Sequence, residues 1–245
     1  MRIPHAGRSI VNNVEYSEVE GFLGGKGEPV DAAGESAYPG NTNQFVVKIA
    51  AYAKCLEASE GQVPEFVNPK YSDDKRLAFA SPTRLESMMQ DLPRLFTHPD
   101  ASVSFVKMER FFSYTPVKNG VKQGAALADK GLPPMTPSSG EADLYAANRE
   151  LLRLAGMQVA DAAPMMLNGM SIVPGPRVVL APSFALGVGD VLHKVRGGSL
   201  SGRSTLTVHG QDILIENLSL DGTLIVRAVP GVACVCAGVR LCALG

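Results

Sequence analysis

This sequence carries no strong charge of either sign. Its formal net charge is −1 over 245 residues. The molecule as a whole therefore has no electrostatic pull toward nucleic acid or an anionic membrane, and any phosphate it holds must meet a local cluster. Long apolar runs are missing too. The longest, residues 228–239, contains Pro230 and two glycines and is bounded by Arg227 and Arg240, short of the ~20 residues a bilayer requires. The opening MRIPHAGRSI has no apolar h-region, which excludes a signal-peptide reading. A soluble, cytoplasmic protein is expected, with neither nucleic acid nor membrane as partner.

Metal and nucleophile signatures are equally thin. Of the four cysteines, Cys234, Cys236 and Cys242 crowd the end of the chain while Cys55 stands alone. There is no CxxC pair and no histidine beside them, so zinc is a poor fit, and reduced thiols of an intracellular protein fit better. His5, His98, His193 and His209 form no catalytic dyad pattern. GGKG at 24–27 looks like a phosphate loop, but Gly27 and Glu28 follow Lys26 where the Walker pattern needs Ser or Thr. Residues 21–40 read as a flexible surface loop.

What is present is a globular composition, 45% hydrophobic and 19% charged, enough for one large domain or one domain with an appendage. The 25 glycines and 17 prolines exceed the usual ~12% and predict many turns. Residues 9–16 read as a strand that opens without a folded lead-in and delivers Glu15; a chain starting on a core strand looks cut. Phe45, Val46, Ile49, Tyr52, Ala53 and Leu56 give helical spacing over 41–59, with Asn41 or Asn43 as N-cap. A helix start is also a site for anions and hydroxyls. Residues 61–79 are irregular and carry Lys70.

A second helix is expected over 81–96, with Ser81 as cap, Pro82 at its first position and Leu85, Met88, Met89 and Leu92 inward. Arg84 and Asp91 take the opposite face. Strands over 101–108 and 111–114 feed Lys118. Residues 120–139 then read as a long lid-like loop. SSGE at 138–141 has capping-box spacing. The helix after it, 141–155, buries Leu144, Ala147, Leu151 and Leu154 and stops at Gly156.

Residues 159–179 are strand-like. From Leu200 onward apolar residues recur at Leu206, Ile213, Leu218 and Leu224, each followed two places on by another: Val208, Ile215, Leu220, Val226. That pattern fits short strands wound into a solenoid; an antiparallel meander is the alternative.

Four segments carry the candidate chemistry: VEYSE at 14–18, PGNTNQ at 39–44, SPTRLESMMQD at 81–91 and YTPVKN at 114–119. Lys118 is a mobile point charge for phosphate oxygens, although a lone loop lysine is ordinarily just solvated. Glu15, Asn41 and Asn43 suit sugar hydroxyls.

Together with EFVNPKY, SGE, GMQVAD, RST and LSLDGTLIV, these words resemble the C-terminal part of UDP-sugar pyrophosphorylases (UTP-monosaccharide-1-phosphate uridylyltransferases) from about residue 8 to 228. The resemblance implies an α/β fold: a partial Rossmann-like nucleotidyltransferase domain, a mixed sheet with helices, over 1–157. Linker strands and a truncated β-helix over 158–245 follow. It implies UTP, a sugar 1-phosphate, a UDP-sugar and pyrophosphate as partners, and Mg²⁺ as cofactor with no metal ligand in this chain.

By that resemblance Lys118 contacts phosphate at the reacting centre. Glu15, Asn41 and Asn43 hold the sugar, while Arg84, Glu86 and Lys70 belong to the pocket wall. The family's glycine-rich UTP loop lies upstream of residue 1, and the tail after Val229 departs from the family pattern as an altered end of the β-helix. The chain alone is therefore expected to lack turnover. A non-catalytic fragment or pseudoenzyme keeping a sugar-phosphate half-site is the first alternative. A hexapeptide-repeat acyltransferase is the second, and it would need more coils and a catalytic histidine on a loop.

Overall fold

The structure, a computed structural model, describes the chain outside residues 1, 6–7, 12, 15–18, 28, 31, 33–35, 68, 74, 76, 97–101 and 243–245. It is mixed α/β, with parallel and antiparallel sheets. It forms two compact units, Met1–Lys107 and Met108–Gly245.

In the first unit β1 (Arg2–His5) pairs antiparallel with β2 (Arg8–Val11). The chain therefore does open on a folded lead-in, and the strand expected over 9–16 is shorter and shifted, because a hairpin partner precedes it. Helix α1 (Val19–Phe22) follows. Helix α2 runs Ile49–Ser59 with Lys48 at its N-cap, eight residues later than the first apolar spacing suggests. Asn43 bars a start at 41–43: its φ of 58° is left-handed backbone that a right-handed helix does not contain, and residues 44–48 are without regular structure. The Asn41 side chain also accepts from the Asn43 amide at 2.8 Å, a local bond that competes with helix formation.

Next, β3 (Glu65–Val67) pairs antiparallel with β4 (Leu85–Ser87). The helix expected over 81–96 is thus replaced by a strand and a 3-10 helix, Met89–Leu95. Ladder pairing to β3 satisfies backbone groups that a helix start at Pro82 would have left open. Leu85 and Met89 are consequently exposed.

The second unit begins with α3 (Arg110–Ser113). Residues 102–109 have no regular structure. The strands expected over 101–108 and 111–114 find no partner among the described residues, and an unpaired strand has nothing to hold it. The expected lid is largely helix: α4 (Val121–Ala128) occupies it. Its Gly124 is essential to the packing, since a Cβ there would lie 2.1 Å from Thr136 Cγ2.

Helix α5 (Pro137–Leu154) starts earlier than its apolar pattern predicts, at a capping box made by Thr136 and Ser139 with Pro137 inside the first turn. It ends before Gly156 at φ +84°. Its buried residues are Ala142, Asn148, Arg149 and Leu152, while Leu144 and Leu154 are exposed. Two backbone carbonyls account for this rotation: Asn148 Nδ2 donates to Val178 O at 2.9 Å and Arg149 Nη1 to Pro176 O at 3.1 Å.

Strand β5 (Gln158–Val159) and the hairpin β6 (Met165–Leu167) and β7 (Met170–Ile172) lead to β8 (Arg177–Leu180) and α6 (Val188–Lys194). The chain then winds through β9 (Val195–Leu200), β10 (Thr205–His209), β11 (Ile213–Asp221), β12 (Thr223–Arg227), β13 (Cys234–Ala237) and β14 (Arg240–Cys242). Every ladder among β5 and β8 to β14 is parallel, which excludes the meander. One sheet runs β12-β10-β8 and the other β13-β11-β9-β5, with β14 also on β11.

The inward rows meet in one core. Val178, Leu206, Val208 and Val226 come from the first sheet, and Val195, Leu200, Ile213, Ile215, Leu218 and Leu220 from the second. Burying such a side chain contributes about 1.5–3 kcal/mol.

The five-residue step from Ile213 to Leu218 has a local cause. Gly197, Asn217 and Gly238 have φ of 65°, 51° and 61° and lie level with one another in β9, β11 and the β13–β14 link. Each bends the chain by one extra residue, so alternation restarts with Leu218 inward. The tail after Val229, expected to leave the pattern, instead adds β13 and β14 to this stack. His209 sits inside β10 and not on a loop.

Candidate functional site

Lys118 stands on a loop joining α3 to α4, and its side chain is exposed. The loop backbone is tied down. The amides of Lys118 and Asn119 both donate to Met135 O, at 2.8 and 3.0 Å, and Asn119 Nδ2 donates to Pro134 O at 3.0 Å. Met135 has φ 50°, a conformation that costs of order 1–3 kcal/mol and recurs at functional sites. Here it turns one carbonyl toward two donors. Thr136, the next residue, caps α5, so the cap and the loop anchor are a single turn. The Ser139 amide donates to Thr136 Oγ1 at 3.3 Å and the Thr136 amide to Ser139 Oγ at 2.9 Å.

Gly140 completes the seat. A Cβ there would lie 2.5 Å from Val117 Cγ2, so SGE is needed for close contact with PVKN. Glu141 accepts from Tyr145 Oη at 2.5 Å, and this bond is the main cause that raises the Tyr145 pKa. The loop therefore presents the exposed Lys118 side chain on a backbone anchored through the Lys118 and Asn119 amides.

Below the loop is a cleft of about 290 Å³ lined by Pro116, Met135, Ser139, Asp143, Arg149 and Ser171 among others. Arg149 is only 5% exposed. Burial lowers its pKa, reinforced by the like charge of Arg153.

The remaining candidates belong to the first unit. Asn41 and Asn43 are exposed, and Asn41 Nδ2 donates to Asn13 Oδ1 at 3.3 Å. The NTN block is thus joined to the segment that leads to VEY, although Asn41 and Asn43 cap no helix. Glu15 lies outside the described residues. Lys70 follows β3, and its carbonyl accepts from the Ala80 amide at 2.7 Å. Glu86 pairs in register with Phe66 on β4, and Arg84 immediately precedes that strand; both side chains are exposed. EFVNPKY and TRLE are therefore brought side by side as two strands.

Sequence reasoning missed Asn13, Met135 and Arg149. The NN pair before VEY was a signal for the first. Nothing in the sequence marks Met135, whose role rests on backbone conformation. Arg149 sits within what reads as the polar face of α5. Among the described residues no group of three or more His, Cys, Asp or Glu side chains gathers that could hold a metal ion, and no helix is long and apolar enough to cross a membrane.

No protein-family model matches the chain. Curated proteins do. A UDP-sugar pyrophosphorylase of Oryza sativa subsp. indica is 44% identical over 227 residues, which is 91% of this chain and 36% of that protein. Its counterpart from Oryza sativa subsp. japonica is 43% identical over the same shares. A UDP-sugar pyrophosphorylase of Arabidopsis thaliana is 39% identical over 228 residues, 91% of this chain and 37% of that protein. The chain spans little more than a third of the length of these relatives, their C-terminal part.

Proposed function

We propose that this chain, which belongs to the UDP-sugar pyrophosphorylase family, supplies the sugar-1-phosphate side of a uridylyltransferase. The reaction joins UTP and a monosaccharide 1-phosphate to give a UDP-sugar and pyrophosphate, reversibly. A phosphate oxygen of the sugar 1-phosphate attacks the α-phosphorus of UTP in line, and pyrophosphate leaves. Such a transfer depends on alignment and on neutralising charge over the phosphate oxygens.

The observation that carries this assignment is the Lys118 loop. The amides of Lys118 and Asn119 donate to Met135 O and anchor the loop backbone, and the exposed ammonium is the cation this loop offers to a phosphate. Asn41 and Asn43 offer amides to the sugar hydroxyls, with Glu15 as a carboxylate acceptor from two of them. Lys70, Arg84 and Glu86 form the pocket wall.

The nucleotidyltransferase part, Rossmann-like as a whole, would run to residue 157. The parallel stack from 158 onward would be a β-helix. Mg²⁺ is the cofactor proposed for the reaction. The described residues offer no cluster fit for it, and no step of this chain's residues depends on it. The compartment proposed is the cytoplasm.

A full-length UDP-sugar pyrophosphorylase whose C-terminal part is replaced by this chain tests the assignment. Pyrophosphate release that requires both UTP and a sugar 1-phosphate is the expected result. A folded chimera that releases none would overturn it.

A further inference from the structure

We propose that the cleft beneath the Lys118 loop is a second anion site, with Arg149 as receptor for a small phosphate-bearing molecule. Arg149 is 5% exposed, and a guanidinium keeps its charge even when buried. One of its donors, Nη1, reaches Pro176 O at 3.1 Å. Its Nε is buried with no acceptor. Among the described residues Arg149 is in no ion pair.

The carboxylates whose charge reaches Arg149 are Asp161 and Glu150, and both are already bonded to Arg153. A buried cation without a counter-charge is unfavourable, and one that borders a cleft can be neutralised from that cleft.

The shape and chemistry of the space narrow the ligand. About 290 Å³ lies at the lower edge of the ~300–1,000 Å³ typical of small-molecule sites, which favours a small phosphate-bearing molecule over a nucleotide. Ser171 brings a hydroxyl to its lining, Ser139 Oγ being engaged with Thr136 in the α5 cap, and the walls are largely proline, alanine and aliphatic side chains. Asp143 also lines the cleft. Arg149 is the cation among these lining residues, and the anion lies toward it.

The same walls anchor the loop above, because Met135 both lines the cleft and accepts the Lys118 and Asn119 amides. An anion on Arg149 is therefore placed to tighten or loosen the seat of Lys118. This site does not depend on the role assigned to Lys118.

The test titrates inorganic phosphate into the ¹⁵N-labelled chain and follows the backbone amides of Ser139 and Ser171. Saturable shifts at both are expected, with affinity at least tenfold weaker in Arg149→Met and within twofold of the parent in Lys118→Ala. Because Arg149 also holds Pro176 O, Ser171→Asp provides a variant at an exposed position. Its new carboxylate should occupy Arg149 and weaken phosphate at least tenfold while the circular dichroism spectrum is unchanged. The site is overturned if the two amides do not respond, if they respond equally in Arg149→Met, or if a folded Ser171→Asp binds phosphate as the parent does.

Discussion

Leu218, in the second unit, is sealed from solvent, while Leu85, in the first, is 69% exposed. The contrast holds along the chain. The packed cluster runs from Leu152 to Val226, all within Met108–Gly245. In the first unit Cys55 is a buried hydrophobic, while Val46, Ile49, Leu77 and Phe79 are exposed. Both units are rich in apolar side chains. What differs is that the inward rows of β8 to β13 meet in one core, whereas β3 and β4 pair with each other alone and leave Val67 and Leu85 exposed. Apolar content supplies the driving force, but a layered arrangement is what uses it.

The sharpest way to break that comparison is to truncate one leucine from each unit. Leu206→Ala, from a fully buried position, should cost about 2–5 kcal/mol in urea denaturation. Leu56→Ala, from a half-exposed position on α2, should stay within ~0.5 kcal/mol. Equal losses would mean that the first unit packs as tightly as the second.

A smaller effect is expected at the parallel strands β9 and β11. A Cβ on Gly198 would lie 2.3 Å from Leu218 O, and its φ is +106°. Gly198→Ala should therefore destabilise the second unit by about 1–3 kcal/mol, whereas Gly24→Ala, where nothing lies within 4 Å, should cost less. Thermal denaturation of the two variants separates packing from backbone strain, because both glycines have positive φ. Removing the α5 cap with Thr136→Ala should cost about 0.5–2 kcal/mol and loosen the Lys118 loop, seen as faster amide exchange at Lys118 and Asn119.

The smallest effect is a pH dependence. Asp221 accepts from Arg203 Nη2 and Nε at 2.5 and 2.6 Å and from Ser201 Oγ at 2.5 Å. The Arg203 guanidinium first, then the Ser201 hydroxyl, holds its carboxyl well below the usual carboxylate range. A depressed folded pKa adds stability above the ordinary value of ~3.9, and that stability is lost as pH falls further toward the folded value. Urea midpoints of the parent should exceed those of Asp221→Asn at pH 7, and the gap should shrink below about pH 4. A gap that persists in acid would assign Asp221 a role other than this ion pair.

The same contrast governs what was legible in the sequence. The stacked strands were, because Leu206, Ile213, Leu218 and Leu224 fall on parallel strands whose side chains pack into one core. Helix α5 and its stop at Gly156 were legible for the same local reason. Its buried face was not, because Asn148 and Arg149 are drawn inward by carbonyls of the β8 segment that no helical period reveals.

In the first unit, local patterns misled. Residues 81–96 carry a helical apolar stripe, yet Leu85–Ser87 finds a ladder partner in β3, and Asn43 halts the helix that Phe45 and Val46 suggest. RST and LSLDG, read as family words, are bonded to each other: Arg203 pairs with Asp221, and Ser204 Oγ donates to Leu220 O at 2.7 Å. Lys118 was singled out through PVKN, and its loop is held by Met135 O. Met135 and Arg149 were not, since both matter only through tertiary partners.

Whether Lys118 acts on developing charge is tested most directly by steady-state kinetics in the chimeric full-length enzyme, with Lys122→Ala, a nearby exposed lysine on α4, as control. Lys118→Ala is predicted to lower kcat about 10²–10³-fold with little change in KM for the sugar 1-phosphate, and Lys122→Ala to leave both nearly unchanged. An unchanged kcat with a raised KM would make Lys118 a ground-state binder and contradict the role assigned to its loop.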